Sequence, residues 1–556
     1  MTNKKAVSRP TAPFRLTLAA ALVLGVPVAQ AFEIDTDNRD VYLRWDNTVK
    51  YSTAFRMEDQ SDALIYGTGG LNGNDGDLNF DKGLISNRVD ILSELDIGYK
   101  NFGARFSGAA WYDDVYHQKT DRGAPGSAGF PPFLSFLETP NATSVPYNEF
   151  TDETKDLHGG DIELLDAFVY WNGLIGDRAL SVRAGQHGLV WGESLFFGAN
   201  AIAGAMAPVD VVKALSVPNT QFKELIRPVN QLSSTFQLTD DLTLGAFYQL
   251  EWEKTRLPGS GSYFSTADII GAGAENIVAG PAGYISRVGD AEAGDSGQGG
   301  IQLRYAGEAT DYGFYVMQTH ARTPTLYEYG ANYAIGDPGK YAWLYQEDIK
   351  TVGASFITTV GNVNIAGEGS LRWDMPLVSN AVELHDGSLP SDHVDDPLHA
   401  VGRTAHVNLN MLASLGPSFI SKEASLVGEI AWHRLLSITD NPEMLDSKAE
   451  RDAYGLKVVY TPTYRQAFPG WDLSVPVGIS YFPRGKSSVL SNFGVDEGGD
   501  ISLGVNATYL NDIQMGLQYT HYYGSEGASR DEVQELTFDQ ARADRDFVSF
   551  FIKTTF

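Results

Sequence analysis

Cysteine is absent from the 556-residue sequence, so the chain has no disulfide framework and no thiolate nucleophile. After residue 31 no stretch approaches the roughly 20 apolar residues of a membrane helix. Basic residues are scarce, with 41 Lys and Arg against 70 Asp and Glu and a formal net charge of −29. Because phosphate binding needs clustered basic side chains, we expect no nucleic-acid partner.

Catalytic and cofactor motifs are also scarce. The sequence has no H-E-x-x-H pair, G-x-S-x-G elbow or Walker loop, and its ten histidines are scattered. The acidic loop around His385 and His393 could bind a divalent cation, and the run Asn72–Asp77 resembles part of a calcium loop. Solvated loops explain both segments more simply. We therefore expect no catalytic residues, no metal site and no cofactor.

The N-terminus has the composition of an export signal. A stretch with four Lys and Arg side chains precedes an apolar run over residues 16–28, which leads into Ala-Gln-Ala at residue 31. These features predict a signal peptide over residues 1–31 that is cleaved before Phe32. A membrane anchor is the weaker interpretation, because the apolar run is too short to span a bilayer.

The rest of the chain alternates apolar and polar residues with a period of two. In the first such segment, Leu43, Trp45 and Val49 share one face, and Arg44 and Asp46 lie on the other. Similar runs occur at 242–253, 501–509 and 513–523, each about as long as a tilted transmembrane strand. A soluble β-sandwich alternates in the same way, so a second signal is needed.

That second signal is the alternation of short and long connections. Short polar links alternate with nine long polar segments, as periplasmic turns alternate with extracellular loops. Two connections, at 416–422 and 461–470, are longer than this pattern predicts. We predict an all-β, transmembrane, antiparallel up-and-down barrel over residues 32–556, with about 18 strands (16–18). The long segments are 58–87, 116–160, 188–230, 254–297, 321–346, 375–401, 435–451, 484–499 and 524–545.

The C-terminal strand supports this prediction. Val548, Phe550, Ile552 and the terminal Phe556 recur at alternate positions. A last strand of this kind resembles the signal by which barrels are recognised for insertion, because an exposed edge strand can pair with the assembly machinery. We therefore expect the barrel-assembly machinery and outer-membrane lipid as partners, and the bacterial outer membrane as the location.

Residues 188–230 do not have the composition of a solvated loop. The segment is apolar and rich in alanine, and Asp210 could cap a short helix that begins at Val211, with another helical turn at 221–226. Folded into the barrel, it would narrow or plug the lumen. The alternative is a loop packed over the barrel rim.

The charged members of this segment are the candidate substrate path. Opposed charges across a constriction select solutes, although the same charges could merely pair with one another to hold the segment in place. The candidate path or constriction residues are Trp191, Glu193, Asp210, Lys213, Lys223, Glu224 and Arg227.

Several motifs resemble a known family. The segments are Arg183–Ser194, Pro208–Asp210 and Leu242–Arg256, and Trp191–Ser194 is among the most specific parts. They are similar to a large family of proteobacterial outer-membrane proteins catalogued as a domain of unknown function. Its members are often encoded beside a LolB-like lipoprotein and a resistance–nodulation–division-type exporter, and near catabolism of sterols and other hydrophobic compounds.

The resemblance implies transport of lipids or apolar organic molecules, with a periplasmic lipoprotein and an inner-membrane exporter as possible partners. The first alternative is a porin for small polar solutes, and the second is a barrel hydrolase with a His near a Ser, Asp or Glu at the rim. A purely structural or adhesive role is the last alternative. Lumen aromatics such as Phe247, Tyr522, Phe547 and Phe551 could form an apolar track or pack against a plug.

Overall fold

A computed structural model describes residues 32–33, 38–67, 69–127, 136, 138–220, 222–280, 283–331, 338–384 and 396–556. The predicted signal peptide and most of the acidic loop around His385 and His393 lie outside the described residues. Cleavage before Phe32 therefore stays a prediction.

Eighteen antiparallel strands form a closed barrel, because the last strand pairs with the first. The predicted all-β barrel is therefore confirmed. In chain order the strands are β1 (Val41–Arg56), β2 (Gly83–Tyr99), β3 (Phe102–Asp113), β4 (Gly160–Ile175), β5 (Arg178–His187), β6 (Val229–Gln237), β7 (Leu242–Gln249), β8 (Gly299–Ala306), β9 (Thr310–Thr319), β10 (Ile349–Val360), β11 (Val363–Pro376), β12 (Val401–Leu415), β13 (Glu423–Asp440), β14 (Asp452–Phe468), β15 (Trp471–Ser474 and Val477–Arg484), β16 (Gly499–Tyr509), β17 (Ile513–Tyr523) and β18 (Phe547–Thr555).

Helices are short and lie between the strands. They are α1 (Asp62–Tyr66), α2 (Asp75–Leu78), α3 (Asp152–Thr154), α4 (Val211–Ser216) and α5 (Phe222–Leu225), with tighter or wider turns at Gly70–Asn72, Asp114–His117, Lys155–Gly159, Ile202–Ala205 and Pro442–Met444. Among the described residues, no helix combines the length and the apolar composition that a membrane crossing requires.

The period-two pattern places apolar side chains on the outside of the barrel. Ile162, Leu174 and Val316 are 83%, 64% and 60% exposed, whereas Asn408 and Glu429 are buried on the inner face. An apolar outer band with a polar interior is the arrangement of a transmembrane β-barrel. On β18, Phe550 packs with other residues of the outer surface, as its alternation predicts.

The connections follow the predicted alternation, with one correction. Nine long loops lie at one end of the barrel, and the two-residue links include 100–101, 176–177 and 361–362. The expected long connection at 461–470 is wrong, because β14 continues to Phe468 and only residues 469–470 form the turn. Pro462 pairs within the sheet, and its carbonyl accepts the Val475 N–H at 3.0 Å.

The long loops pack into a cap over one end of the barrel. The cap contains a second, five-stranded sheet in which Tyr341 and Trp343 are buried, and both side chains donate to the carbonyl of Ile269. Its strands, in spatial order, are Val382–Leu384, Thr325–Tyr329, Lys340–Leu344, Tyr284–Arg287 and Asn276–Val278.

A buried ionic cluster joins the cap to the barrel. Asp77 pairs with Arg56 at the end of β1 (3.1 Å) and with Arg545 of the last loop (2.7 Å), and Arg56 also pairs with Asp544 (2.7 Å). The neighbouring Asp75 pairs with an arginine as well. Both carboxylates are therefore buried and paired with arginines, so the run 72–77 is not the solvated loop that the sequence suggested.

Candidate functional site: the segment inside the barrel

The inner segment, residues 188–228, leaves the wall after β5 and returns to it at β6. Between these points it contacts inward-facing side chains around the barrel. Lys50 of β1 donates to Pro218, Gln249 of β7 donates to Met206 (2.7 Å), and Asn410 of β12 donates to the carbonyl of Glu193. The predicted inward-folded loop is confirmed.

Two carboxylates of the barrel wall bind the first half of this segment. Glu368 of β11 accepts the backbone N–H of Ile202 at 2.7 Å and that of Glu193. Glu429 of β13 accepts the hydroxyl of Ser194 at 2.7 Å and the three backbone N–H groups of residues 195–197. Loop N–H groups that would be unpaired inside the barrel therefore acquire charged acceptors, the stronger kind of hydrogen bond. We call Glu368 and Glu429 the clamp carboxylates.

Gly192 is required by the geometry of this clamp. Its φ of +97° lies in the region that only glycine adopts easily. A Cβ atom at this position would collide with the carboxylate of Glu368. The Trp191–Ser194 motif therefore combines a turn with the hydrogen bonds that fix it.

Asn200 fixes the segment to β12 and β13 through two histidines. Its side-chain oxygen lies 3.0 Å from His406 Nδ1 and 2.9 Å from His433 Nδ1, so each ring donates from Nδ1. The Nε2 atoms then accept hydroxyls, from Thr404 at 2.9 Å and from Ser487 at 2.7 Å. Every ring nitrogen is paired with both histidines neutral, which suits a network that is almost fully buried.

Trp191 packs the segment against β7 and β9, a few strands along the wall from the clamp carboxylates. Its ring lies 5.0 Å from that of Phe247 on β7 and 6.0 Å from that of Tyr315 on β9. Met206, also from the inner segment, completes this buried cluster. Phe247, one of the aromatic residues expected in the lumen, therefore packs against the segment.

The helical part of the segment begins as the sequence predicts. Asp210 caps α4 by accepting the N–H of Lys213 at 2.9 Å. Its carboxylate also pairs with Arg256 at 2.9 Å, and Arg256 pairs with Glu163 of β4 at 2.6 Å. Lys213 lies 3.7 Å from Glu163 and 3.8 Å from Asp210. These four charges form one network that joins the segment to the wall and to the next loop.

The other candidate path residues pair mainly outside the segment. Glu193 lies 3.7 Å from Arg304 of β8, and Arg227 lies 2.9 Å from Glu253. Glu224 lies on α5 within electrostatic range of Lys50. The side chain of Lys223 lies outside the described residues. Apart from the Lys213–Asp210 contact, the described charges face the wall or another loop rather than one another.

Two adjoining cavities lie beside the segment, along the inner wall formed by β4–β7. The smaller, about 140 Å³, is lined by residues that include Trp191, Leu189 and Arg183. The larger, about 320 Å³, extends towards the short turns and is lined by Leu180 and by small and polar residues. Ser181 and Thr235 line both, so the two cavities are neighbours.

Sequence reasoning did not find the wall residues that hold the segment. Glu368, Asn408, Glu429 and His433 occupy alternate, inward positions on β11–β13, where any porin would also carry polar residues. A charged residue at an inward position can indicate that the wall binds something in the lumen. The charge does not identify which loop is bound.

Together, the closed barrel, its apolar outer band and the fixed inner segment define a transmembrane barrel with an internally folded loop. The chain belongs to the family described as Protein of unknown function (DUF1302), which matches residues 12–556. The predicted family membership is confirmed, whereas the neighbouring lipoprotein and exporter stay predictions.

Solved structures also resemble the chain at low sequence identity. OccAB4 of Acinetobacter baumannii is 10% identical with a TM-score of 0.44, covering 95% of this chain and 99% of that one. OccK9 (OpdG) of Pseudomonas aeruginosa is 9% identical with a TM-score of 0.41, covering 92% and 98%. OmpF of Salmonella typhi, in complex with daunomycin, is 10% identical with a TM-score of 0.35, covering 94% and 100%. None of the curated proteins matches the sequence.

Proposed function

We propose that the chain is an outer-membrane transport barrel for hydrophobic or amphipathic molecules, and that the inner segment plugs or constricts its lumen. The observation that carries the proposal is the attachment of the segment on two sides of the barrel, by the clamp carboxylates of β11 and β13 and by the contact of Lys213 with Glu163 of β4. Because the sequence has no nucleotide-binding motif, transport is passive or driven by partners such as a periplasmic lipoprotein and an exporter.

The aromatic surface of the segment supports an apolar substrate. Trp191 and Leu189 line the smaller cavity, so a molecule there would contact an indole ring and an aliphatic side chain. Burial of apolar surface contributes about 25 cal/mol per Å², which favours a hydrophobic or amphipathic ligand.

Single-channel conductance in a planar bilayer tests the plug. The intact protein should be closed or nearly closed, and a variant that lacks residues 195–226 should conduct strongly, because an 18-stranded barrel otherwise encloses an aqueous pore. Steady, large conductance in the intact protein would overturn the plugged lumen and favour the porin alternative.

Fluorescence quenching tests the substrate class. Titration of the protein in lipid nanodiscs with ω-bromododecanol should give saturable quenching that is lost in Trp191→Phe. Trp45, 48% exposed on the outer face, provides the matched control, because Trp45→Phe should retain the saturable component. Quenching that is linear and equal in both variants would contradict an internal apolar site.

A porin for polar solutes is the second candidate, because part of the lumen is strongly charged. Arg105 of β3 pairs with Asp96 (2.7 Å), Glu94 and Asp166, and all four side chains keep partial contact with solvent. Permeation of sugars or amino acids through the intact protein, measured by liposome swelling, would favour this function.

The hydrolase alternative has one contact in its favour. His187 Nε2 and Ser233 Oγ are 2.8 Å apart beside the smaller cavity, but His187 Nδ1 pairs with the carbonyl of Gly185 (2.9 Å) rather than with a carboxylate. We expect hydrolysis of p-nitrophenyl butyrate by the intact protein to equal that of Ser233→Ala. A large loss of esterase activity in this variant would establish the hydrolase instead.

A further inference from the structure

Arg183 differs from most charged side chains in the lumen. It projects inward from β5, on the same face as Ser181 and His187, and its side chain is exposed. Among the described residues, no carboxylate lies within ion-pair distance of it, although Arg105 contacts three and Arg304 contacts Glu193. Its guanidinium lies 5.7 Å from the ring of Phe168, which leaves its hydrogen-bond donors available.

The surroundings of Arg183 combine a cation with an apolar surface. Arg183, Leu189 and Trp191 line the smaller cavity, together with hydroxyl groups from β5 and β6. Across both adjoining cavities, Arg183 is the only charged lining residue among those that the structure describes. In a chain of net charge −29, a solvated cation without an acidic neighbour marks a place where an anion is favoured.

We propose that these cavities form a binding site for an anionic amphiphile, with its head group on Arg183 and its apolar body against Trp191 and Leu189. The planar guanidinium offers two parallel donors to a carboxylate or sulfate. The hydroxyls of Ser181 and Thr235 line the junction of the two cavities and can donate further hydrogen bonds. The proposal rests on the proposed transport function, and it specifies the charge of the substrate.

The sizes of the cavities suit such a ligand. The smaller cavity of about 140 Å³ holds part of an alkyl chain or one ring, and the larger cavity of about 320 Å³ leaves room on the side of the short turns. Leu189 and Trp191 of the inner segment line one side of this space, so a molecule bound here contacts the segment directly.

The test compares an acid with its neutral analogue of equal length. Protein in nanodiscs of zwitterionic lipid is titrated at alkaline pH with ω-bromododecanoate and with ω-bromododecanol, and the saturable quenching of Trp191 is measured against empty nanodiscs. The acid should bind more tightly than the alcohol to the intact protein. Arg183→Gln should weaken binding of the acid roughly 10- to 100-fold and leave the alcohol unchanged, because only the charge-assisted hydrogen bonds are lost.

Arg178→Gln is the matched control. Arg178 lies on the same strand but outside the cavities, where it pairs with Asp240 at 2.8 Å, so its loss should leave binding of the acid unchanged. Arg183→Lys keeps the charge but loses the two parallel donors, so its affinity for the acid should lie between that of the intact protein and that of Arg183→Gln, which separates loss of the anion site from misfolding.

The outcomes separate this proposal from the transport function. Equal affinity of acid and alcohol in the intact protein, or an unchanged affinity of the acid in Arg183→Gln, overturns the anion site and leaves the apolar path standing. Absence of saturable quenching by either probe overturns both.

Discussion

Gly192 and Glu368 are in such close contact that residue 192 has no room for a side chain. The backbone at Gly192 turns with φ of +97°, and its Cα faces the carboxylate that accepts the N–H of the next residue, Glu193. Loop and wall therefore fit only if one position remains glycine and the other remains an acceptor.

Gly192→Ala should weaken this contact. The added methyl group collides with Glu368, and an alanine at residue 192 is held in an unfavourable backbone conformation. Together these effects cost about 1–3 kcal/mol. We expect more frequent channel opening in planar bilayers. Gly198→Ala is the matched control from the same segment, because a methyl group added there would have no neighbouring atom within 4 Å. Equal opening in the two variants would show that the clamp does not hold the segment closed.

Glu429→Ala should release the residues that follow Gly192. The hydroxyl of Ser194 and the N–H groups of residues 195–197 lose their shared acceptor, and each partly buried donor left unpaired costs at most about 1–3 kcal/mol. Hydrogen exchange over residues 193–200 should accelerate strongly. Glu423→Ala, at a half-exposed position on the same strand, should change nothing. Retained protection in Glu429→Ala would contradict the role of this carboxylate.

Asp77→Asn should loosen the cap without opening the wall. Arg56 and Arg545 are fully buried, so removing the charge that they share costs about 3–5 kcal/mol. Limited proteolysis should cut the long loops faster, while the heat-modifiable mobility of the barrel stays unchanged. Asp81→Asn, an exposed position in the same loop, is the control. Equal cleavage rates in both variants would show that other contacts hold the cap.

The cap should become less stable as pH rises towards neutrality. The pKa of Glu328 is raised from 4.5 to about 7. The largest cause is burial, and the second is the charge of Glu383, which lies opposite Glu328 on the neighbouring parallel strand; Arg530 has the opposing effect. The folded state thus favours the protonated carboxyl. Stability is greatest below pH 4.5 and falls as pH rises through the folded pKa of about 7, by about 3 kcal/mol at most.

Proteolysis of the cap at several pH values measures this effect. Cleavage should accelerate between about pH 5 and about pH 8, and Glu328→Gln should remove most of the change. Glu443→Gln, which alters an exposed carboxyl in another loop, should keep it. A pH dependence that persists in Glu328→Gln would assign it to another group.

The barrel was predictable because its signal repeats in each strand. A side-chain period of two forces apolar residues such as Trp45 and Ile552 onto one face, and long polar segments between the strands give the order of turns and loops. The composition of 188–230 similarly indicated an inward fold, since Trp191 cannot remain exposed to water without cost. The long connection expected at 461–470 is instead mostly strand, and Pro462 occupies a position in it where its missing N–H is not needed.

The partners of the segment were not predictable from one sequence. Glu193 and Arg227 were expected to oppose other charges of the same segment, yet they pair with Arg304 and Glu253. Charge attraction depends on distance in space, and the sequence alone gives no distance between a loop and a strand more than a hundred residues away.

The attachment of Ser194 to Glu429 also bears on the order of folding. The two residues are 235 positions apart, so the acceptor belongs to β13 whereas the donor follows β5. Bringing together groups so far apart carries a loop-closure entropy cost that is recovered only once the intervening strands have formed. A barrel assembled up to β10 lacks both clamp carboxylates. The segment therefore acquires its last attachments to the wall only after β13 has joined the barrel, although its contacts with β1, β4, β7 and β9 can form earlier.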